Sequence, residues 1–161
     1  MVTPPNAVKI HGNGVGRSLR QAYVAASVPA WQDTGRHFHL QYRPKRFTHK
    51  HATEADYGKR KPKYVREKFR RFGHTYPLVK TGEVRRLAAT ARITARAGTG
   101  QVQNRGGVKV AYPQLRKLNF RHPNSDIDMA DEFRRVPDRE SVLLGHYFIA
   151  RFSPRFEGNF R

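Results

Sequence analysis

Two pairs of histidines are the residues whose type and spacing best suit metal binding or general-base chemistry. His37 and His39 are separated by one residue, as are His49 and His51. A histidine with either role needs a partner, most often a carboxylate, that orients its ring. The nearest carboxylate, Glu54, is not in an HExxH pattern, and both pairs lie among arginines. The pattern therefore predicts no metal site and no general base at these histidines.

A glycine-rich stretch, residues 12–16, precedes the first predicted helix and could bind a phosphate at its N-terminus. It follows no strand and lacks the rest of a nucleotide-binding motif, so a hinge is the better interpretation. The chain has no cysteine, which excludes disulfides, thiolate catalysis and cysteine-bound metals. No GxSxG or GxxxxGK[ST] motif is present. We therefore expect a protein that is not an enzyme, with no cofactor and no metal.

The chain has 161 residues, enough for a single domain with a modest core. Its mean hydropathy is low, -0.79, but ten Phe, seven Tyr and one Trp argue against wholesale disorder. We expect a packed body at 17–152, a flexible arm at 1–16 and a C-terminal arm at 153–161. No stretch approaches the roughly 20 apolar residues of a membrane span. The first ten residues lack a hydrophobic signal region, which predicts a cytoplasmic product.

The formal net charge is +20, and it is unevenly distributed. Residues 43–74 contain twelve lysines and arginines against three acids, whereas residues 126–140 contain six acids against three arginines. This charge indicates a polyanion or an acidic protein surface as the partner. A basic segment and an acidic segment also allow copies of the chain to bind head to tail, and such contacts can close into a ring. The alternative is that the basic run is only a solvated face.

Apolar spacing predicts an α+β fold: a small antiparallel β-sheet, packed by helices, with extended N- and C-terminal arms. The clearest helix spans residues 62–72, because Pro62 suits a first turn and Gly73 suits a C-cap. Its predicted apolar stripe consists of Tyr64, Val65, Phe69 and Phe72. Residues 87–95 and 108–112 alternate in polarity, which predicts a long hairpin at about 86–112 with arginines on its outer face.

The remaining segments are assigned by the same patterns. We expect helices at residues 17–30, 126–133 and 138–152, and Asp126 should cap the second of these. Loose alternation predicts a short strand at residues 37–47. The polar residues 48–61 should form a loop or arm.

The order of residues from Tyr57 to Arg86 resembles that of small neck and tail-completion proteins of tailed bacteriophages. The shared features are Tyr57-Gly58, a basic helix with Tyr64 and Lys68, Phe72-Gly73-His74, the segment PLVKTG at residues 77–82, and Arg85-Arg86. In that family, a sequence motif of the form PLV-x-TG-x-x-R directly precedes the sheet. The resemblance covers residues 55–152, and residues 1–53 have no counterpart in it.

The resemblance implies a non-catalytic α+β subunit of a homo-oligomeric ring at the head–tail junction or tail end. Its location would be the virion, assembled in the host cytoplasm. Its partners would be copies of itself, neighbouring neck, portal-adaptor or tail proteins, and packaged DNA, without a membrane or a small-molecule substrate. The turn that orients the hairpin toward a neighbour would consist of Pro77, Leu78, Val79, Thr81 and Gly82.

Two charged surfaces are expected to make the contacts of such a subunit. The basic surface, which would meet acidic protein or DNA, consists of Lys59, Arg60, Lys61, Lys63, Arg66, Arg70, Arg71, Arg86, Arg92 and Arg96. The acidic surface, which would meet a basic neighbouring subunit, consists of Asp126, Asp128, Asp131 and Glu132.

A ribosomal or other RNA-binding protein is the alternative interpretation. Basic arms interleaved with aromatic residues suit an RNA backbone and its bases. The acidic residues 126–140 argue against it, since RNA would repel them. A sequence-specific DNA regulator fits less well, because no helix lies at turn distance before the basic helix.

Overall fold

The computed structural model describes residues 19–98, 105–115 and 127–159. Six α-helices and one two-stranded antiparallel sheet lie in these ranges, which confirms the predicted α+β fold with a small sheet packed by helices. The predicted N-terminal arm and the glycine-rich residues 12–16 lie outside the described ranges. The elements are α1 (Leu19–His37), α2 (His49–Glu54), α3 (Pro62–Phe72), α4 (Glu83–Leu87), β1 (Arg92–Arg96), β2 (Gly107–Ala111), α5 (Met129–Arg134) and α6 (Asp138–Gly158).

Helix α1 is longer than predicted and replaces the start of the predicted strand at 37–47. It continues through Thr34, whose hydroxyl donates to the Ala30 carbonyl at 2.8 Å, and through Gly35. The strand prediction was wrong, because residues 38–42 form a π-helical turn and residues 43–47 a 3-10 helix. Phe38 and Tyr42 are four residues apart, and their rings stack at 6.4 Å between centroids. That spacing fits a helix as well as a strand.

Gly35 lies in α1 because the sheet approaches the helix closely at this position. A Cβ atom here would lie 2.6 Å from a Val108 methyl carbon and 2.7 Å from an Ile93 methyl carbon. The side chains of the sheet therefore contact the backbone of α1 directly. The glycine allows this close packing and does not end the helix.

The hairpin is shorter than predicted. Strands β1 and β2 pair antiparallel, with Arg92 opposite Ala111 and Thr94 opposite Lys109. Residues 83–87, assigned in part to the strand, form α4 instead, whose N-cap Gly82 has a φ of 80°. Glu83 in the first turn favours a helix start, because its carboxylate complements the helix dipole. The predicted alternation holds within β1, where Ile93 and Ala95 are half-buried and Arg92, Thr94 and Arg96 are exposed.

Helix α3 has the predicted bounds, and Gly73 ends it in the left-handed conformation, with a φ of 69°. Its inward face differs from the predicted stripe. Phe69 is 60% exposed, whereas Lys68 is buried and donates from its amine to the Tyr76 carbonyl. Burial lowers the pKa of Lys68, and the nearby positive charge of Arg60 lowers it further.

The main apolar cluster lies where α2, α4 and α5 meet the segment after α3. Phe47, Tyr57, Leu78, Leu115 and Phe133 are its largest buried side chains. Helices α1 and α6 pack against each other through a second, aromatic layer. In this layer Trp31 stacks on Phe148 with 3.9 Å between ring centroids, and Tyr23 meets the edge of Phe152 at 5.8 Å.

The two C-terminal helices also differ from their predicted bounds. Asp128 caps α5 by accepting from the Ala130 and Asp131 amides, whereas the predicted cap, Asp126, lies outside the described residues. Helix α6 runs six residues past the predicted end at Phe152, so the described residues 153–158 of the predicted C-terminal arm are helical. Arg155 holds this extension to α1, because it donates to Asp33 at 2.7 Å. Phe152 and Phe156 are four residues apart, a spacing that also fits a helix.

Candidate interaction surfaces

Helix α3 and the residues before it form an exposed basic surface, the α3 surface. Six of the seven predicted basic residues of this region are exposed: Lys59, Lys61, Lys63, Arg66, Arg70 and Arg71. The spacing of three and four residues places Lys63, Arg66 and Arg70 on one side of the helix. The aromatic rings of Tyr64 and Phe69 are exposed beside them, by 47% and 60%. The α3 surface therefore offers positive charge together with rings on which a base could stack.

Arg60, also predicted to be part of this surface, is instead used inside the molecule. Its two terminal nitrogens donate to the two carboxylate oxygens of Glu132 at 2.6 and 2.5 Å. The Gly58 amide donates to the same carboxylate at 2.8 Å. The hydrogen bond to Glu132 raises the pKa of Arg60. These hydrogen bonds join the segment before α3 to α5.

The predicted acidic surface is therefore wrong at Glu132, which is 2% exposed and binds Arg60 within the same chain. Asp128 caps α5, and Asp126 lies outside the described residues. Asp131 is exposed but forms an ion pair with Arg135 at 2.9 Å. The three described acids all have partners in their own chain, so these three form no continuous acidic face for a neighbour. The prediction failed because the arginine that binds Glu132 lies 72 residues earlier in the chain.

The predicted turn residues lie between α3 and α4. Leu78 and Val79 are buried in the main apolar cluster, and Leu78 has a φ of 56°, in the left-handed region that a residue other than glycine rarely adopts. Thr81 is exposed, Pro77 is half-buried, and Gly82 begins α4. The segment is thus a tight turn held by two apolar anchors. It leads into a short helix, however, and not directly into the strand.

The outward face of the hairpin, the hairpin surface, holds two of the other predicted basic residues. Arg92 and Arg96 point outward on β1, with Thr94 between them, and Lys109 points outward on β2. None of the three cations has an ion-pair partner within the described residues. Arg86 is exposed too but belongs to α4 and not to the strand.

Sequence reasoning missed a buried charged network formed by Arg46, His51 and Glu140. Arg46 donates to a Glu140 oxygen at 2.8 Å, and His51 Nδ1 lies 3.3 Å from the other oxygen. All three side chains are at most 7% exposed. The arginine also donates to His51 Nε2 at 3.0 Å. Because arginine only donates, the ring nitrogen that it faces must accept, so the imidazole is neutral.

Burial lowers the pKa of His51 to about 4, and the positive charge of Arg46 acts in the same direction. Two nitrogens of Arg46, Nε and Nη2, have no hydrogen-bond partner in the described structure. Arg46 is separated from Glu140 by 94 residues, so no local pattern indicates the network. The sequence predicted that no carboxylate orients either of the two histidine pairs, and this prediction was wrong for His51, which lies beside Glu140.

A cavity of about 860 Å³ opens between the hairpin, α1, α5 and α6. Its wall is mainly apolar, with Trp31, Phe38 and Leu144, and it includes Tyr112. Burial raises the pKa of Tyr112 to about 12, so its hydroxyl stays protonated near neutral pH. Burial also lowers the pKa of His39, whose Nδ1 lies 3.4 Å from that hydroxyl. These two groups form a neutral hydrogen-bonded pair beside the cavity.

Helix α6, which packs on α1 through Phe148 and Phe152, leaves several apolar side chains exposed. Val142, Leu143 and Ile149 are exposed by 57%, 45% and 57%. Val142 and Ile149 lie seven residues apart, which places them on one face of the helix, the α6 face. An exposed apolar strip of this kind is typical of a contact with another protein.

Two further observations concern the described residues as a whole. No helix among them is long and apolar enough to cross a membrane. No group of three or more metal-ligating side chains within the described ranges is arranged to hold a metal ion. Comparisons of the chain with protein-family models, with curated proteins and with solved structures found no match.

Proposed function

We propose that this chain is a non-catalytic structural subunit of a tailed-bacteriophage virion that forms a ring at the head–tail junction or tail end. The proposal starts from the resemblance of residues 55–152 to neck and tail-completion proteins. The order of basic helix, glycine cap, tight turn and hairpin along the chain is in keeping with that resemblance. The predicted partners stay the same: copies of the chain, neighbouring neck, portal-adaptor or tail proteins, and packaged DNA.

The observation that carries the proposal is the exposed apolar α6 face. Val142 and Ile149 leave more than half of their surface in contact with water, although the helix that carries them is packed on α1. Covering such side chains contributes roughly 25 cal/mol for each Å² of apolar surface removed from water. Both long edges of the two-stranded sheet also lack a further strand within the described structure. Contact with a neighbouring subunit would cover surfaces that a monomer leaves open.

This self-association differs from the electrostatic head-to-tail contact that the sequence alone predicted. Glu132 is buried and Asp131 is paired with Arg135, so the described acids offer little free charge for such a contact. An apolar contact is insensitive to screening by salt, whereas a contact between exposed charges weakens as salt rises. The association should therefore persist at high ionic strength.

The test is the mass of the purified protein in solution at roughly 0.15 and 1 M salt. We expect a defined multimer at both concentrations. Val142→Asp combined with Ile149→Asp should produce a monomer with an unchanged circular dichroism spectrum. The matched control is Leu40→Asp, because Leu40 is 63% exposed but lies outside α6. A wild-type monomer at both salt concentrations, or a multimer unaffected by the α6 substitutions, would contradict the proposal.

RNA binding is the second candidate, and the α3 surface favours it. Tyr64 and Phe69 are exposed among lysines and arginines. Proteins that bind single-stranded RNA use this combination, because rings stack on bases and cations contact phosphates. Under this alternative, a monomer would co-purify with RNA until high salt removes it. Tyr64→Ala combined with Phe69→Ala would then weaken binding to single-stranded RNA at constant charge. The ultraviolet absorbance ratio of the purified protein separates the two candidates.

A further inference from the structure

We propose that the hairpin surface binds the phosphate backbone of duplex DNA without reading its sequence. The inference rests on the proposed function, because a ring around a channel would present this surface to packaged DNA. The outward positions of β1 are Arg92, Thr94 and Arg96, and those of β2 are Gly107, Lys109 and Ala111. The described face thus carries three cations, a hydroxyl and two small residues, and no acid.

Within the described residues, no carboxylate forms an ion pair with the cations of the hairpin surface. Arg46, Arg60, Arg135 and Arg155 each form an ion pair with a carboxylate. The three outward cations of the hairpin have none in the part of the chain that the structure describes. With 32 lysines and arginines against 12 acids, the carboxylates are too few for every cation. Like charges held close together repel one another, and a polyanion would relieve this repulsion.

The cations are held on a rigid support. On the inward face of the hairpin, Ile93 and Val108 press against Gly35 of α1. The pairing of Thr94 with Lys109 sets the lysine diagonally between the two arginines. A backbone that does not rearrange loses little entropy on binding, so the three cations keep their relative positions on the sheet.

The spacing of the cations suits a duplex. Arg92 and Arg96 are four residues apart on one strand, which corresponds to about 13 Å at the rise of a β-strand. The major groove of B-DNA is about 12 Å wide. The two arginines can therefore reach phosphates on either side of a groove, with Lys109 between them.

The absence of aromatic side chains from this face separates it from the α3 surface. A protein that binds unpaired nucleic acid stacks bases on aromatic rings. The outward residues of the described hairpin offer no ring, whereas the α3 surface offers Tyr64 and Phe69. Contacts to phosphates alone position a duplex and carry no sequence information. The hairpin surface thus fits a continuous backbone and not a flexible single strand.

The test compares two sets of substitutions that remove the same charge. Arg92, Arg96 and Lys109 are changed to Gln in one variant, and Lys63, Arg66 and Arg70 are changed to Gln in the other. Affinity for a dye-labelled duplex of random sequence is measured by fluorescence anisotropy over a series of salt concentrations. Each lost phosphate contact lowers the slope of log affinity against log salt by about 0.9. The hairpin variant should therefore lose about 2.7 of this slope, whereas the α3 variant should retain it.

Four results would bear on the inference. It is overturned if both variants lose the same slope, if the hairpin variant weakens only single-stranded RNA, or if the wild-type protein does not bind the duplex at low salt. Thermal unfolding of both variants shows whether they keep the fold. Duplex binding that depends on the hairpin in a protein that is monomeric at both salt concentrations would refute the ring and support the hairpin surface. The two proposals can therefore fail separately.

Discussion

Glu132 and Glu140 are both buried acids that hold an arginine from a distant part of the chain, but their surroundings differ. Glu132 binds both terminal nitrogens of Arg60 and the Gly58 amide, and Arg60 is 20% exposed to water. Glu140 binds one nitrogen of Arg46, whose side chain is 1% exposed. Arg46 keeps two nitrogens without a partner in the described structure, and the nitrogen that binds Glu140 also donates to a neutral histidine.

The difference separates two uses of a buried ion pair. In the Glu132 pair, the matched hydrogen bonds offset much of the cost of removing charge from water. In the Glu140 pair, two arginine nitrogens are dehydrated without compensation, so the network is only partly satisfied. Such a pair contributes little net stability, yet breaking it is costly because one buried charge remains alone. We therefore expect the Glu140 pair to be more sensitive to single changes and more tolerant of joint replacement.

The largest effect is expected from Glu140→Gln. The amide keeps the shape of the side chain but leaves the Arg46 cation buried without a counter-charge. The free energy of unfolding should fall by about 3–5 kcal/mol, as measured by urea denaturation. Ser141→Ala, at an exposed position on the same helix, should have no measurable effect. A loss below about 1 kcal/mol would show that Arg46 finds another partner or reaches water.

Acid should weaken the same network through His51. The pKa of His51 is about 4 in the folded chain and 6.5 when unperturbed, so the unfolded chain binds more protons between these pH values. The free energy of unfolding should fall as the pH drops from about 6.5 to 4, by at most about 3 kcal/mol from this group. Denaturation of the wild type and of His51→Gln over this range isolates the contribution. His146→Gln, at an exposed histidine, should retain the wild-type pH dependence.

A smaller loss is expected from Glu132→Gln, about 2–3 kcal/mol, because the released Arg60 can move its charge into water. Asp131→Asn is the matched control on the same helix. It removes an ion pair whose side chains are 43% and 58% exposed, and it should cost no more than about 0.5 kcal/mol. Equal losses at Glu132 and Asp131 would refute the contrast between a buried and an exposed pair.

The smallest net effect is expected when both partners of the Glu140 pair are replaced together. The free energy of unfolding of Arg46→Met combined with Glu140→Leu should lie within about 1 kcal/mol of the wild-type value, because apolar side chains of similar volume need no hydrogen bonds. Arg60→Met combined with Glu132→Leu should recover less, since the Gly58 amide then loses its acceptor. If the second pair recovered as well as the first, the number of satisfied hydrogen bonds would not distinguish the two sites.

Local patterns predicted the elements whose determinants are neighbours in sequence. Pro62 and Gly73 mark the ends of α3, and the alternation in β1 indicates which residues face inward. The pattern at residues 38–47 was ambiguous, because Phe38 and Tyr42 fit both a strand and a helical turn. Packing against other elements decides between the two, and packing is not encoded in a short window.

The charged sites were predicted less well, for the same reason. Exposed lysines and arginines of α3 could be placed from helical spacing alone. The burial of Lys68 and Glu132 depends on what covers them, and the partners of Glu132 and Arg46 are 72 and 94 residues away along the chain. A chain with 12 acids and 32 bases offers many possible pairs, and only the fold selects among them.

The direction in which the hairpin faces depends on a buried residue, Gly35. The hairpin rests on α1 where a side chain would collide with Ile93 and Val108. A methyl group at this position would act as a wedge, because it would push one end of the sheet outward. The cations of the outer face would then tilt together relative to the rest of the subunit, with every exposed residue unchanged. The geometry of an outer surface is thus set by the smallest side chain beneath it.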